Sequence, residues 1–311
     1  MTSQKDNSVK TTKVVLITRR TRMEELIAQY NTEAQAEFVV NSRGDDFAEY
    51  RLEHVHYYES INAVKESLQR LARVQEVERG FLPNFMFGPQ DIVVVVGQDG
   101  LVANTLKYLS GQPVIAINPE PTRYDGILLP FQVKDTTQIL NDVIKKAFNR
   151  QHITMAKATL NDGQELLAVN DFFIGPRFQT SARYELNVGG RSEVQSSSGI
   201  IISTGLGSTG WMKSIIAGAR GVVGSKDINA FSMAWDDDFL QYAVREPFPS
   251  QTTGVELVFG KIDQENPMSI ASRMPNNGVI FSDGMVEDVV EFISGTVVSL
   301  TTAKDVGILV V

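Results

Sequence analysis

The sequence predicts an α/β protein of two domains, an N-terminal doubly wound parallel sheet followed by a C-terminal β-rich, sandwich-like domain. Three observations carry that expectation. Strand-sized apolar runs alternate with helix-like periodicity over the first half of the chain, and hairpin signals crowd the second half. The length of 311 residues also exceeds one ordinary core. The change of texture places the boundary near residue 150, giving an α/β domain over 1–150 and a β-rich domain over 151–311.

Each element has its own warrant. Residues 1–12 are polar and read as a loose tail without a signal-peptide core. VVLIT, from Val14 to Thr18, reads as a buried strand, and Thr21 with Glu24 and Glu25 reads as the capped start of a helix. Residues 47–60 fit no single period. Ile61, Val64, Leu68, Leu71 and Val74 share one helical face, which predicts a helix running to Gly80. The four valines Val93 to Val96 cannot alternate inside and outside, so they predict a strand buried on both faces. LVANTLKYLSG then reads as a helix closing at Gly111, PVIAINP as a further strand, and TTQILNDVIKKAFNR as the last long helix. Beyond it, Asn161-Asp162-Gly163, Gly189-Gly190 and Asn276-Asn277-Gly278 predict hairpins. One segment, GIIISTGLGSTGWMKSIIAGAR, instead runs from a strand through a loop into a helix.

Composition excludes several classes of function. The net charge of −8 and the lack of any basic run argue against a nucleic-acid or anionic-membrane partner. No apolar stretch approaches a membrane span. With no cysteine there is no disulfide, thiolate metal site or cysteine nucleophile, and a reducing cytoplasm is the expected location.

Four segments can carry chemistry, each beside a strand. In Gly97-Gln98-Asp99-Gly100 a carboxylate stands between glycines just past the valine strand. Glycines there can take conformations closed to other residues and let a ligand touch the main chain, and Asp99 is placed to accept a proton in phosphoryl transfer. The plainer alternative is a turn whose aspartate caps a helix. Ser203-Thr204-Gly205-Leu206-Gly207-Ser208-Thr209-Gly210 offers N–H groups and hydroxyls suited to phosphate, yet it lacks the lysine of a P-loop and the setting of a Rossmann fingerprint. The alternative is a flexible loop. Asn170-Asp171 is a polar pair in an apolar strand, which either satisfies the backbone or meets a ligand. Ser282-Asp283-Gly284, taken alone, is a hairpin turn.

Taken together, GQDGL (97–101), NPEPTRYDGILLPF after the strand ending at Asn118, ND (170–171), STGLGSTGW (203–211) and DG (283–284) resemble the NAD kinase family. That family belongs to a superfamily with the diacylglycerol kinases and 6-phosphofructokinases. Its pattern is GGDGT, a strand ending in Asn, an Asn-Glu pair, TPTGSTAY and a late Asp-Gly, and the order and spacing agree over nearly the whole chain. The resemblance implies transfer of the ATP γ-phosphoryl group to the adenosine-ribose 2′-hydroxyl of NAD, giving NADP. It implies Asp99 as general base. Nucleotide-binding roles fall to Gly97, Gln98, Gly100, Asn118, Asn170, Asp171, Ser203, Thr204, Gly207, Ser208, Thr209, Gly210 and Asp283. Magnesium is expected to come with ATP, held by phosphates rather than by a protein cage, so no residue is assigned as a metal ligand. The resemblance implies a homo-oligomer as well, with 1–150 as the nucleotide-binding domain and 151–311 as the dinucleotide-binding and oligomerisation domain.

The chain departs from the family pattern at Gln98, Leu101, Asp171, Gly205-Leu206 and Gly210-Trp211, and Ser196-Ser197-Ser198-Gly199 stands where Asp-Gly is usual. A side chain at Gln98 opposes both positive φ and close phosphate approach. The altered later loop motivates a kinase acting on a sugar or lipid hydroxyl as one alternative. Gln98 and Leu101 motivate another, a catalytically impaired nucleotide-binding regulatory protein. His54 and His56 are assigned packing or surface roles, the acidic cluster Asp236-Asp237-Asp238 a solvated one. Arg177, Arg183 and Arg191 are the cations nearest in sequence to Asn170-Asp171.

Overall fold

The computed structural model describes residues 12–224, 233–285 and 288–311, so all of the expected tail except Thr12 lies outside the described residues. The chain divides into two compact units, 1–151 with 308–311, and 152–307.

The first unit opens with β1 (Lys13–Thr18), α1 (Arg22–Tyr30), α2 (Glu33–Ser42) and α3 (Phe47–Leu71), then β2 (Arg73–Glu78), β3 (Ile92–Val96), α4 (Asp99–Leu106) and β4 (Pro113–Asn118). It continues with β5 (Phe131–Gln132), α5 (Thr136–Ile144) and β6 (Arg150–Ile153). The start of α1 is a capping box, the Thr21 hydroxyl accepting the Glu24 N–H while the Glu24 carboxylate accepts the Thr21 N–H at 2.8 Å. The region without a clear period is helical: Asp46 caps α3, which runs unbroken for 25 residues with Glu53, Tyr57, Ile61, Val64 and Leu68 inward. The expected helix to Gly80 is corrected here. It stops at Leu71, and Val74 and Val77 sit in β2, paired in parallel with β1. Val74 fits both periods, and an edge strand with three exposed residues among six gives only a weak strand signal.

The sheet order is β2-β1-β3-β4, extended by the C-terminal strand and β6, with β5 also on β4. Both faces are covered. Val14, Leu16, Val94 and Ile115 pack under α3 and α5, while Val15, Ile17, Val93 and Val95 are fully buried on the other side, where α4 packs on β3 and β4. This is why four valines in a row are tolerated.

The second unit contains β7 (Ala156–Leu160), β8 (Glu165–Ala168), β9 (Asp171–Pro176), β10 (Ala182–Val188), β11 (Arg191–Ser197), β12 (Ile200–Ser203) and α6 (Trp211–Val223). It ends with β13 (Leu240–Val244), β14 (Phe259–Ile262), β15 (Met268–Ser272), β16 (Gly278–Ser282), β17 (Val290–Glu291) and β18 (Val297–Thr302). Two antiparallel sheets result, β11-β10-β15-β18-β7-β8 and β14-β13-β12-β9-β16-β17. Their inner faces share one core, Phe172, Ile174, Ile200 and Ile202 from the second sheet meeting Tyr184, Leu186, Ile270 and Leu300 from the first. The outer face of the second sheet is closed by Met212 and Ile216 of α6, against Phe173, Ile201, Ala243 and Val279.

Two turns act as the hairpins the sequence predicts, Gly163 at φ 89° between β7 and β8, and Gly189-Gly190 at φ 56° and 79° between β10 and β11. The third does not. Asn277 takes φ 58°, but the strands on either side of it, β15 and β16, belong to different sheets, so the turn carries the chain from one layer to the other. The last strand, β19 (Gly307–Val310), pairs in parallel with β4, so the C-terminal residues assigned to the β-rich domain return to the first unit's sheet. Ile308 and Leu309 extend a buried parallel sheet, which suits an apolar run with no partner in its own neighbourhood.

Candidate functional site

In the first unit the chain passes from β1 to β2 on one side of the sheet and then to β3 on the other, so the order reverses between β1 and β3. The carboxyl ends of strands at such a reversal are where open α/β sheets take ligands. The groups there are the main chain after Thr18 and the turn Gly97-Gln98-Asp99-Gly100. Tyr57 ties the two together: its buried hydroxyl accepts the Arg19 N–H at 2.9 Å and donates to the Val96 carbonyl at 2.9 Å. Burial holds the phenol neutral, well above its ordinary range, and outweighs the Arg19 N–H and charge, which act the other way. Beneath Arg19 the Glu53 carboxylate, fully buried, pairs with Arg19 at 2.9 Å and with Arg22. Desolvation opposes its ionisation, but the bonds and charges of the two arginines outweigh that and hold Glu53 below the usual carboxylate range.

Asp99 is the first residue of α4, and Gln98 is the N-cap without a side-chain cap bond. The Asp99 carboxylate does not cap the helix. Its Oδ1 accepts the N–H of Leu128 at 2.7 Å, the Oδ2 making no hydrogen bond among the described residues. The segment carrying Leu128 is in turn organised by Asn118, whose Oδ1 accepts the Glu120 N–H and whose Nδ2 donates to the Tyr124 carbonyl, both at 3.0 Å. Asp99 and Asn118 therefore clamp one loop from two strand ends.

Two expectations about the turn are corrected. Neither Gly97 nor Gly100 has positive φ, and Gln98, at φ −118° and ψ 164°, is ordinary extended backbone without strain. At Gly97 an added Cβ would meet the Leu101 side chain, its Cδ2 at 2.8 Å and its Cβ at 3.6 Å. At Gly100 it would meet nothing within 4 Å. Leu101 itself is buried.

In the second unit the remaining predicted residues converge. Ser203 is paired with Asp171 across β12 and β9, and the Asp283 N–H donates to the Asp171 carbonyl at 3.0 Å. The Asp283 carboxylate accepts the N–H groups of Val169, Asn170 and Asp171 at 3.0, 2.7 and 3.3 Å. Burial, and then the charge of Asp283, push the Asp171 carboxyl up to about 7. Thr204 donates its hydroxyl to the Val169 carbonyl at 2.6 Å and accepts the Gly207 N–H at 3.2 Å. The loop glycines are explained by self-packing: a Cβ on Gly205 would lie 1.8 Å from the Ala234 carbonyl oxygen, and one on Gly207 2.0 Å from that of Asn170. Ser208 and Thr209 turn their hydroxyls to the carbonyls of Gly205 and Leu206, and Gly210 is the N-cap of α6.

No family model matches the chain, and no curated protein matches it. Solved structures do. An NAD kinase from Archaeoglobus fulgidus in complex with ATP aligns with a TM-score of 0.58 over 96% of this chain and 93% of its own, at 16% identity. A yeast NADH kinase complexed with NADH aligns with a TM-score of 0.58 over 96% of this chain and 83% of its own, at 12% identity. The chain has the NAD kinase fold.

Within this NAD kinase fold, Trp211, one of the departures from the sequence pattern, has its ring engaged by the protein. It stacks on Phe173 with centroids 5.8 Å apart, and the Arg245 guanidinium lies 5.4 Å from its centroid. A cleft of about 1000 Å³ opens at the far end of β9 from Asp171, lined by Arg177, Ser196 to Ser198 and Arg245. Arg191 is instead paired with Glu256 on the surface. His54 contacts the Thr21 hydroxyl and His56 the Glu120 carboxylate, and Asp237 and Asp238 accept from the Ala234 N–H and the Thr302 hydroxyl. Among the described residues no helix is long and apolar enough to cross a membrane. Arg19, Glu53 and Tyr57 were missed from sequence; the run TRRTR directly after a buried strand is a signal for Arg19 alone.

Proposed function

We propose that the chain is an NAD kinase-like phosphotransferase that moves the ATP γ-phosphoryl group to the adenosine-ribose 2′-hydroxyl of NAD. The observation that carries this reading is the turn after β3. It stands at the sheet's topological reversal, with the Asp99 Oδ2 uncommitted and a glycine at position 100 for which the protein's own packing gives no reason. A helix pays for such a glycine in stability, and close approach of a phosphate-bearing ligand to the α4 backbone accounts for it.

In the proposed step the 2′-oxygen attacks the γ-phosphorus, its bond to the β,γ-bridging oxygen breaks, ADP leaves, and the hydroxyl proton passes to Asp99. The Leu128 N–H fixes the carboxylate's orientation, and Asn118 fixes the loop that carries Leu128. Asn170 and Asp171 are assigned to the dinucleotide, with Asp283, Thr204 and Gly207 as positioning residues that hold the main chain at 169–171. Magnesium arriving with ATP supplies neutralisation of phosphoryl charge. Among the described residues no group of three or more His, Asp or Glu side chains is gathered for a metal.

The test is a coupled NADP assay with magnesium and ATP, on the parent chain and on Asp99→Asn, with thermal shifts by NAD and ATP measured in parallel. A fall of at least about a hundredfold in turnover, with the shifts retained, is expected. Undiminished turnover in Asp99→Asn removes Asp99 as base. Shifts without any NADP from the parent chain, in the presence of NAD or NADH, overturn the activity and leave nucleotide binding.

A further inference from the structure

The opposite end of the first unit's sheet carries a second pocket. It has a volume of about 740 Å³ and lies at the amino ends of the parallel strands, where β1 begins at Lys13 and β2 at Arg73. Across the five residues of β3 it stands roughly 16 Å from the turn at Gly97, at about 3.3 Å per residue. Four cations line it, Lys13, Arg73, Lys146 and Arg150, against a single acid, Asp91. That acid is already engaged. Its carboxylate pairs with Lys13 at 2.8 Å and accepts the Gly88 N–H at 2.9 Å.

Arg73, Lys146 and Arg150 have no acidic partner among the described residues. On a chain with a net charge of −8, three uncompensated cations around one apolar-floored pocket are a local inversion of sign. Phe148 contributes to that floor, and the Arg150 guanidinium lies 5.4 Å from the centre of its ring.

Lys146 adds an independent observation. It follows the C-cap of α5 and takes φ 57°, the left-handed conformation that glycine or asparagine ordinarily fills. A lysine there carries a backbone cost that glycine would avoid, while placing a cation at the pocket's edge. The carbonyls of Asn141, Asp142 and Val143 at this helix end are bonded, to the N–H groups of Lys145, Ala147 and Lys146 respectively.

We infer that this pocket binds a small organic phosphate of nucleotide size, its phosphate met by Arg73, Lys146 and Arg150 and its apolar part resting on Phe148. The site is separate from the proposed catalytic turn and stands or falls independently of it.

The experiment is lysine footprinting of the full chain by acetylation, read by mass spectrometry, with ADP and with inorganic pyrophosphate as probes. ADP at millimolar concentration slows labelling of Lys146 by at least about fivefold, as expected for a mostly occupied site, and leaves Lys65, paired with Glu76 elsewhere, unchanged. Pyrophosphate protects less if the apolar floor contributes. The protection persists in Asp99→Asn and disappears in Arg73→Ala/Arg150→Ala, whose side chains make no hydrogen bond or ion pair among the described residues. Lys146→Gly keeps or raises Tm while ADP binding measured by dialysis weakens. Labelling of Lys146 that neither probe alters, or protection that survives the double arginine variant, overturns the inference.

Discussion

The Asp283 carboxylate accepts the N–H of Asn170 at 2.7 Å and takes those of Val169 and Asp171 as well, so one side chain organises the entry to β9 from 113 residues away. Asp283 does this from a left-handed backbone, φ 51°, followed by Gly284 at φ 67°. Three N–H donors on one ionised acceptor are charge-assisted bonds, stronger than neutral ones. Asp283→Ala leaves them without that acceptor, and a loss of about 2–4 kcal/mol is expected. Urea unfolding checks it: Asp283→Asn, which keeps one acceptor oxygen, should fall between the parent and alanine.

The Asp171 carboxyl, pushed up to about 7 by burial and then by Asp283, gives stability a defined slope. The folded chain holds this proton over a range where the unfolded chain has released it. Stability from this group is therefore complete below about pH 4 and lost as pH rises to about 7. Asp171 is only half-buried, so a contribution of about 1–2 kcal/mol is expected after allowance for solvent. Thermal unfolding of Asp171→Asn should match the parent near pH 4 and exceed it at pH 8. A parent Tm that rises between those values relative to the variant would refute the assignment.

Gly207 is tested by the smallest possible change. An added Cβ lies 2.0 Å from the Asn170 carbonyl oxygen, a backbone atom fixed from the other side by the Thr204 N–H at 3.0 Å. Neither partner can yield without breaking the Thr204 cap, so Gly207→Ala should destabilise by about 2–4 kcal/mol. Chemical denaturation measures it directly.

These sites show what was legible in the sequence and what was not. The valine strand and the Thr21 capping box follow from local rules, because burial on both faces and cap chemistry are written in neighbouring residues. The end of α3 was not legible, since Val74 satisfies helix and strand periods alike and only pairing with β1 decides. The return of β19 to the first sheet is equally non-local. At the candidate site, order and spacing brought out Asp99, Asn170, Asp171 and Asp283, but not their partners. Leu128, which holds Asp99, presents a backbone N–H, and any residue except proline offers one. The strain expected at Gln98 fails for a related reason: φ is set by how the turn enters α4, not by the glycines around it.

Gly100 separates fold from function most cleanly. It is exposed in the first turn of α4, without positive φ and with open space around an added Cβ. Where the fold places no demand on glycine, alanine should stabilise the helix by roughly 0.5–1 kcal/mol. If phosphate approaches the α4 backbone at this point, the same methyl group occupies the approach. Gly100→Ala is therefore expected to raise Tm by a few degrees while lowering ATP affinity at least about tenfold. The two effects are read on one sample by thermal shift with and without ATP. A variant that gains stability and binds ATP as tightly as the parent would show that phosphate approach does not account for the glycine at position 100.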